Sequence, residues 1–104
     1  MSRYTLITDK TKLDELEIVV GWDVQFQTYF AYVEQQIAED EIKFILDIGD
    51  WSHKLYTPVA ALKYIEDYIP GISEKEELIY MLELDKERQN SSTDQKLYID
   101  EIKK

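Results

Sequence analysis

A period-two pattern runs through two stretches in the first half of the chain. In residues 25–33, Phe26, Thr28, Phe30 and Tyr32 share one face, and in residues 42–48 the apolar residues Ile42, Phe44, Leu46 and Ile48 share one face. A period of two predicts β-strands, because successive side chains of a strand point to opposite faces of the sheet. The apolar, β-branched residues Ile18, Val19 and Val20 predict one more strand before them, which begins at about residue 17. Two short segments link the three strands, the tripeptide Gly21-Trp22-Asp23 and the polar residues 35–41. The pattern therefore predicts an antiparallel meander across residues 17–49, with the tripeptide as a hairpin turn.

The spacing of apolar residues changes from two to three or four after residue 57. Thr57-Pro58 is typical of a helix start, an N-cap residue followed by proline at the first helical position. We predict a helix at about residues 58–69, which Pro70-Gly71 ends. Ser73 begins a Ser-x-x-Glu sequence, the form of a capping box, and predicts a second helix at about residues 74–89.

The two ends of the chain carry less regular patterns. Tyr4 to Thr8 is a candidate fourth strand at the sheet edge, and residues 9–16 fit a loop with a helical turn. The tail, residues 90–104, has spacings that suit either a strand or a short helix, and we predict a loosely docked end.

Strands followed by helices are the element order of an α+β fold. The chain has 104 residues, the size of one domain, and 44% of them are hydrophobic, which is enough to form one core. We predict one α+β domain across residues 1–104. It has a three-stranded antiparallel meander, four-stranded if the N-terminal segment joins it, and two helices packed on one face.

Charge narrows the classes of partner. The formal net charge is −10, and residues 34–89 carry fourteen of the acids against six bases. Because phosphate backbones and anionic lipids repel such a chain, we expect no direct binding to nucleic acid or membranes. A protein partner with a basic surface fits this charge. The chain has no cysteine and no apolar run of membrane-spanning length, so we expect a cytoplasmic protein.

Two similar tripeptides suggest a candidate binding site. In a meander, strands one and three end at the same edge of the sheet, so Gly21-Trp22-Asp23 and Gly49-Asp50-Trp51 should lie together, with His53 just downstream. Tryptophan is frequent at binding hot spots, and a neighbouring carboxylate can orient a cation or an amide. We call this set the rim: Trp22, Asp23, Asp50, Trp51 and His53. The alternative is that the tryptophans close the core and the aspartates hold turns.

A second candidate binding surface is the acidic helical half. Its acids are Glu66, Asp67, Glu74, Glu76 and Glu77. We call this set the acidic face, which fits a basic protein surface or serves solubility alone.

The sequence lacks two common catalytic motifs, a glycine-rich phosphate loop and a cysteine nucleophile. The three glycines stand far apart at positions 21, 49 and 71, which excludes a glycine-rich phosphate loop, and no cysteine nucleophile is present. We therefore predict no catalytic residues, no cofactor and no metal. An alternative is a small-ligand or metal-dependent enzyme that uses Asp23, Asp50 and His53 at the rim.

Gly21-Trp22-Asp23 is followed by Gln27-Thr28-Tyr29-Phe30. Residues 18–33 resemble small bacterial proteins of unknown function, in which a Gly-Trp-Asp turn leads into a Gln-Thr-aromatic-Phe strand and the C-terminal half is helical. Val24 and Phe26 depart from that pattern, which has proline and leucine there. The resemblance implies a shared fold and a role for the tripeptide, and it implies no activity.

The sequence thus favours a non-catalytic acidic binding or regulatory protein that acts by protein–protein contact. A sharper form of this hypothesis is an inhibitor that blocks the basic site of a nucleic-acid-binding protein. A further alternative is a structural or accessory protein.

Overall fold

The structure is a computed structural model, and it describes residues 1–99. Its elements in chain order are β1 (Ser2–Ile7), α1 (Asp9–Leu13), β2 (Leu16–Asp23), β3 (Thr28–Ala38), β4 (Glu41–Ile48), α2 (Pro58–Tyr64), a 3₁₀ turn (Ile72–Glu74), α3 (Glu76–Glu87) and β5 (Asp94–Tyr98). The five strands form one mixed sheet in the order β4-β3-β2-β1-β5. The α+β class predicted from the sequence is confirmed.

The antiparallel meander is present as β2, β3 and β4, but its turns differ from the prediction. Gly21-Trp22-Asp23 is not a turn, because all three residues pair within β2, and the turn follows at residues 24–27. Residues 35–38, predicted as part of the second turn, extend β3, and only Glu39 and Asp40 turn the chain. Cross-strand pairing overrides their polar composition.

The N-terminal strand is interior rather than an edge. β1 pairs antiparallel with β2 on one side and parallel with β5 on the other. The tail is therefore not loosely docked as far as it is described, because Asp94–Tyr98 forms the edge strand β5. The last five residues of the predicted tail lie outside the described part of the chain.

The first predicted helix begins where the sequence places it, whereas its end and both ends of the second helix differ from the prediction. Thr57 caps α2 as predicted, because its hydroxyl accepts a hydrogen bond from the Ala60 amide. α2 ends at Tyr64, and turns continue to Tyr68. The prediction of a capping box at Ser73 is wrong. Ser73 lies inside the 3₁₀ turn, and α3 begins after Lys75 without a side-chain cap.

The sheet has two unequal faces. Buried residues of β1, β2 and β3, among them Leu6, Val20 and Ala31, pack against α2, the 3₁₀ turn and α3, and we call this side the core face. The opposite side, which we call the open face, carries the alternate residues of each strand. α1 borders the open face at one corner, where Thr11 and Lys12 line a depression with Thr5. Among the described residues, no helix is long and apolar enough to span a membrane.

Candidate functional site

Strand register determines where the rim residues lie. Val20 pairs with Ala31, and Ala31 pairs with Ile48, so β2 and β4 end at the same end of the sheet. The chain then loops through residues 49–54 and returns as Leu55, which forms an isolated antiparallel bridge to Tyr29. The two tripeptides therefore flank the same end of β3.

The two tryptophans have opposite environments. Trp22 is 1% exposed and packs edge-to-face against Tyr29, with ring centroids 4.9 Å apart. The Lys86 Nζ atom of α3 lies 5.7 Å from the centre of the Trp22 ring, within cation–π range. Trp51 is 72% exposed in the loop after β4. Trp22 thus closes one end of the core, and only Trp51 is available to a partner.

Both rim aspartates hold turns. The Asp23 Oδ1 atom accepts hydrogen bonds from the amides of Gln25 and Phe26, at 2.9 and 3.2 Å. The Asp50 Oδ1 atom accepts from the Ser52 amide and hydroxyl and from the His53 amide. The Ser52 hydroxyl bond, followed by the His53 amide bond, lowers the pKa of the Asp50 carboxyl. These are the Asx-type bonds that aspartate forms in turns.

The rim residues do not assemble a metal-binding group. His53 is exposed, and within residues 1–99 no three histidine or acidic side chains are placed to hold a metal ion. The rim is therefore a set of neighbouring turn and core residues with one exposed indole.

A cleft lies beside the rim, and the sequence pattern did not predict it. It has a volume of about 380 Å³ and is lined by Tyr29, Tyr56, Pro58, Glu83, Lys86, Glu87 and Gln89. Burial, followed by the charges of Glu83 and Asp85, raises the pKa of Tyr29 to about 12. The helical spacing of residues 83, 86 and 87 puts them on one side of α3, but only the tertiary structure brings Tyr29 and Tyr56 to that side.

The acidic face is spread along the helical layer. Glu66 is half-buried and Asp67 is exposed in the turns after α2. Glu74 is exposed in the 3₁₀ turn, and Glu76 and Glu77 are exposed in the first turn of α3. Within the described part of the chain, the one ion pair joins Arg3 to Glu17, which are strand residues and lie outside this layer.

Asp85 is an exception among the acids of α3. It is 5% exposed, accepts a 2.7 Å hydrogen bond from the Tyr4 hydroxyl and accepts another from the Asn90 side-chain amide. Burial, followed by this bond to Asp85, raises the pKa of Tyr4 far above its ordinary value. Asp85 therefore joins α3 to β1 and is not part of a contact surface.

No family model, curated protein or solved structure matches this chain.

Proposed function

We propose that this protein is a non-catalytic acidic binding protein that acts by contact with a partner of basic surface. The acidic face carries the proposal, because its carboxylates are mostly exposed and form no ion pairs among the described residues. Unneutralised charge on one layer attracts an oppositely charged surface and speeds encounter.

The cleft beside the rim supports the same proposal. Glu83 and Glu87 line it together with the rings of Tyr29 and Tyr56. Carboxylates next to aromatic faces suit a lysine or arginine side chain, which gains both an ion pair and a cation–π contact. The Lys86 Nζ atom lies 6.0 Å from the centre of the Tyr29 ring, which is an example of a cation–π contact at this cleft.

The experiment is affinity capture from a lysate of the source cells at low and high salt. The variant Glu74→Gln, Glu76→Gln, Glu77→Gln removes three charges from the acidic face, and we expect capture of the partner to fall at low salt. Raising the salt from 0.1 to 1 M shortens the Debye length from about 10 to about 3 Å and should weaken wild-type capture as well.

The matched control changes three exposed acids outside the helical layer, Asp9→Asn, Asp14→Asn and Glu39→Gln. It removes the same formal charge, so equal losses in both variants would mean that only net charge matters and would contradict the proposal. Addition of duplex DNA to the captured complex tests the sharper hypothesis. An inhibitor of a nucleic-acid-binding site should be displaced by the DNA.

A further inference from the structure

The cleft beside the rim contains two carboxylates without a counter-charge. Glu83 and Glu87 are one helical turn apart on α3, and both are exposed. Lys86 lies on the same side of the helix, at the spacing where an ion pair with Glu83 is expected. No such pair forms, because the one ion pair within residues 1–99 joins Arg3 to Glu17. The cleft therefore presents uncompensated negative charge to the solvent.

Aromatic rings hold Lys86 away from these carboxylates. The Lys86 Nζ atom lies 5.7 Å from the centre of the Trp22 ring and 6.0 Å from the centre of the Tyr29 ring. At such distances an ammonium group is attracted to the ring faces. Lys86 thus occupies the cation position beside these two rings, and the carboxylates of Glu83 and Glu87 remain open to a cation from outside.

The Tyr29 hydroxyl is a further group of the cleft that lacks a partner. The Tyr29 side chain is 1% exposed, yet its hydroxyl forms no hydrogen bond with the described residues, whereas the buried Tyr4 hydroxyl donates to Asp85. Buried polar groups nearly always have a hydrogen-bond partner. Because Tyr29 lines the cleft, a partner reaches its hydroxyl from the cleft. An N–H group of a ligand would supply the missing bond.

The walls of the cleft are held by backbone and side-chain bonds. Leu55 bridges to Tyr29, with the Tyr29 amide donating to the Leu55 carbonyl oxygen at 3.0 Å, which fixes the neighbouring Tyr56 beside β3. The Gln89 side-chain amide donates to the Lys86 carbonyl oxygen at 2.7 Å. The cleft is therefore preformed, and a ligand needs to order little of the chain when it binds.

The size and chemistry of the cleft fit an arginine side chain. Its volume of about 380 Å³ is at the small end of the range of about 300–1,000 Å³ for ligand pockets. A guanidinium group has five N–H donors in one plane, enough for both carboxylates and the Tyr29 hydroxyl, and its face can stack on an aromatic ring. Tyr56 is 70% exposed, so its ring is open to such stacking. An ammonium group is more strongly hydrated and does not stack, so lysine should bind more weakly.

The open shape of the cleft favours a side chain of a protein over a free small molecule. A pocket for a free ligand buries about 70–90% of the ligand surface. Tyr56, Glu83 and Glu87 are all exposed, so a free ligand would keep much of its surface in water. An arginine on a protein gains contacts from its neighbours as well. Trp51, 72% exposed in the loop that leads to Tyr56, is available to them.

We propose that the cleft beside the rim is an arginine-binding site, in which Glu83 and Glu87 hold the guanidinium group and the Tyr29 hydroxyl accepts one of its N–H bonds. The Tyr56 ring stacks on the face of the guanidinium. This inference rests on the proposed function in one respect, that the arginine belongs to the protein partner.

A peptide titration tests the site on the full chain alone. The probe is a neutral-ended pentapeptide with one central arginine, and the controls carry lysine or citrulline instead, because citrulline has the shape of arginine without its charge. Amide chemical shifts of the ¹⁵N-labelled protein measure binding. We expect saturable shifts at Tyr56, Glu83 and Gln89 with arginine, binding at least about 5-fold weaker with lysine, and no saturation with citrulline. Equal binding of the citrulline peptide, or no saturable shift at these amides with the arginine peptide, would overturn the proposal.

Two variants test the named side chains. We expect Glu83→Gln with Glu87→Gln to raise the dissociation constant of the arginine peptide at least about 10-fold. Tyr29→Phe should raise it about 3-fold or more without lowering the free energy of unfolding at neutral pH, since the hydroxyl has no partner in the free protein. Glu76→Gln with Glu77→Gln is the matched control, because it removes the same charge from the same helix outside the cleft. Equal losses in the two double variants, or wild-type binding by Tyr29→Phe, would contradict the site.

The arginine site and the proposed function fail in different experiments. Partner capture with the acidic-face variant tests the proposed function, whereas the arginine peptide is titrated onto the protein without any partner. Capture that does not depend on the acidic face, together with arginine binding in the cleft, would contradict the proposed function and support the site. Capture that depends on the acidic face, together with no arginine binding in the cleft, would overturn the site alone.

Discussion

Gly21 occupies a position in β2 where no side chain fits. An added Cβ atom would lie inside the contact distance of the Ser2 carbonyl oxygen and 2.7 Å from the Phe30 ring. The glycine therefore permits the close approach of β1 and lets the Phe30 ring lie across the strand. Its role is packing within a sheet, whereas the sequence pattern suggested a turn.

We expect Gly21→Ala to destabilise the protein by about 3 kcal/mol or more, because backbone atoms of β1 would have to move. Gly71→Ala is the matched control. Gly71 has φ of 80° and no atom within 4 Å of an added Cβ, so only the left-handed backbone is strained, at about 1–2 kcal/mol. Urea unfolding measures both free energies. Equal losses would mean that β1 and β2 do not approach as closely as described.

Individual elements differ in how their ends are held. The Thr57 hydroxyl accepts a 3.2 Å bond from the Ala60 amide, and Pro58 has the fixed φ that suits the first turn of α2. The first turn of α3 has no side-chain cap. It continues directly from the 3₁₀ turn, which begins after Gly71 in a left-handed conformation. The start of α3 thus depends on Gly71 and the 3₁₀ turn that follows it, and no capping box is present there.

We therefore expect Thr57→Ala to cost about 1 kcal/mol through loss of the cap, and Ser73→Ala to cost much less. The two substitutions remove the same kind of group, so they serve as controls for each other in one set of urea unfolding curves. A loss at Ser73 as large as that at Thr57 would show that Ser73 does cap α3.

At the scale of the whole molecule, buried tyrosines connect the sheet to the helices. Tyr4 donates to Asp85 of α3, and Tyr29 packs between Trp22 and the cleft that α3 lines. Burial is the largest cause of the raised pKa of Tyr29. Each of these hydroxyls therefore stays neutral in the folded protein at a pH where it would ionise in the unfolded chain.

This linkage sets a limit on stability at high pH. A tyrosine whose pKa is higher in the folded protein than in the unfolded chain contributes to stability at low pH. This contribution is complete below the pKa of the unfolded chain and is lost as the pH rises through the pKa of the folded protein. For Tyr29 that window runs from 10.0 to about 12. We expect the free energy of unfolding to fall between pH 10 and pH 12 and to fall less in Tyr29→Phe. Tyr56→Phe is the control, because Tyr56 is 70% exposed and should follow the wild type. Identical pH dependence in all three proteins would contradict burial of the Tyr29 hydroxyl.

The sequence by itself determined the α+β class, the pairing order β2-β3-β4 and the start of α2. Each depends on local patterns, an alternation of two or an N-cap followed by proline, which act over a few neighbouring residues. The sequence also placed Gly21-Trp22-Asp23 and Gly49-Asp50-Trp51 at one end of the sheet, because a meander fixes which strand ends are neighbours. It could not tell that Trp22 is buried and Trp51 exposed.

Only the tertiary structure decided the rest. β5 carries one half-buried apolar residue, Leu97, and becomes a strand because β1 offers it an unpaired edge more than eighty residues away in the chain. The cleft beside the rim brings Tyr29 of β3 to the side chains of α3, and the depression at the corner of the open face joins residues near both ends of the described chain, Thr5 and Lys96 among them. Local sequence carries no signal of these contacts, since they arise from long-range packing and pairing.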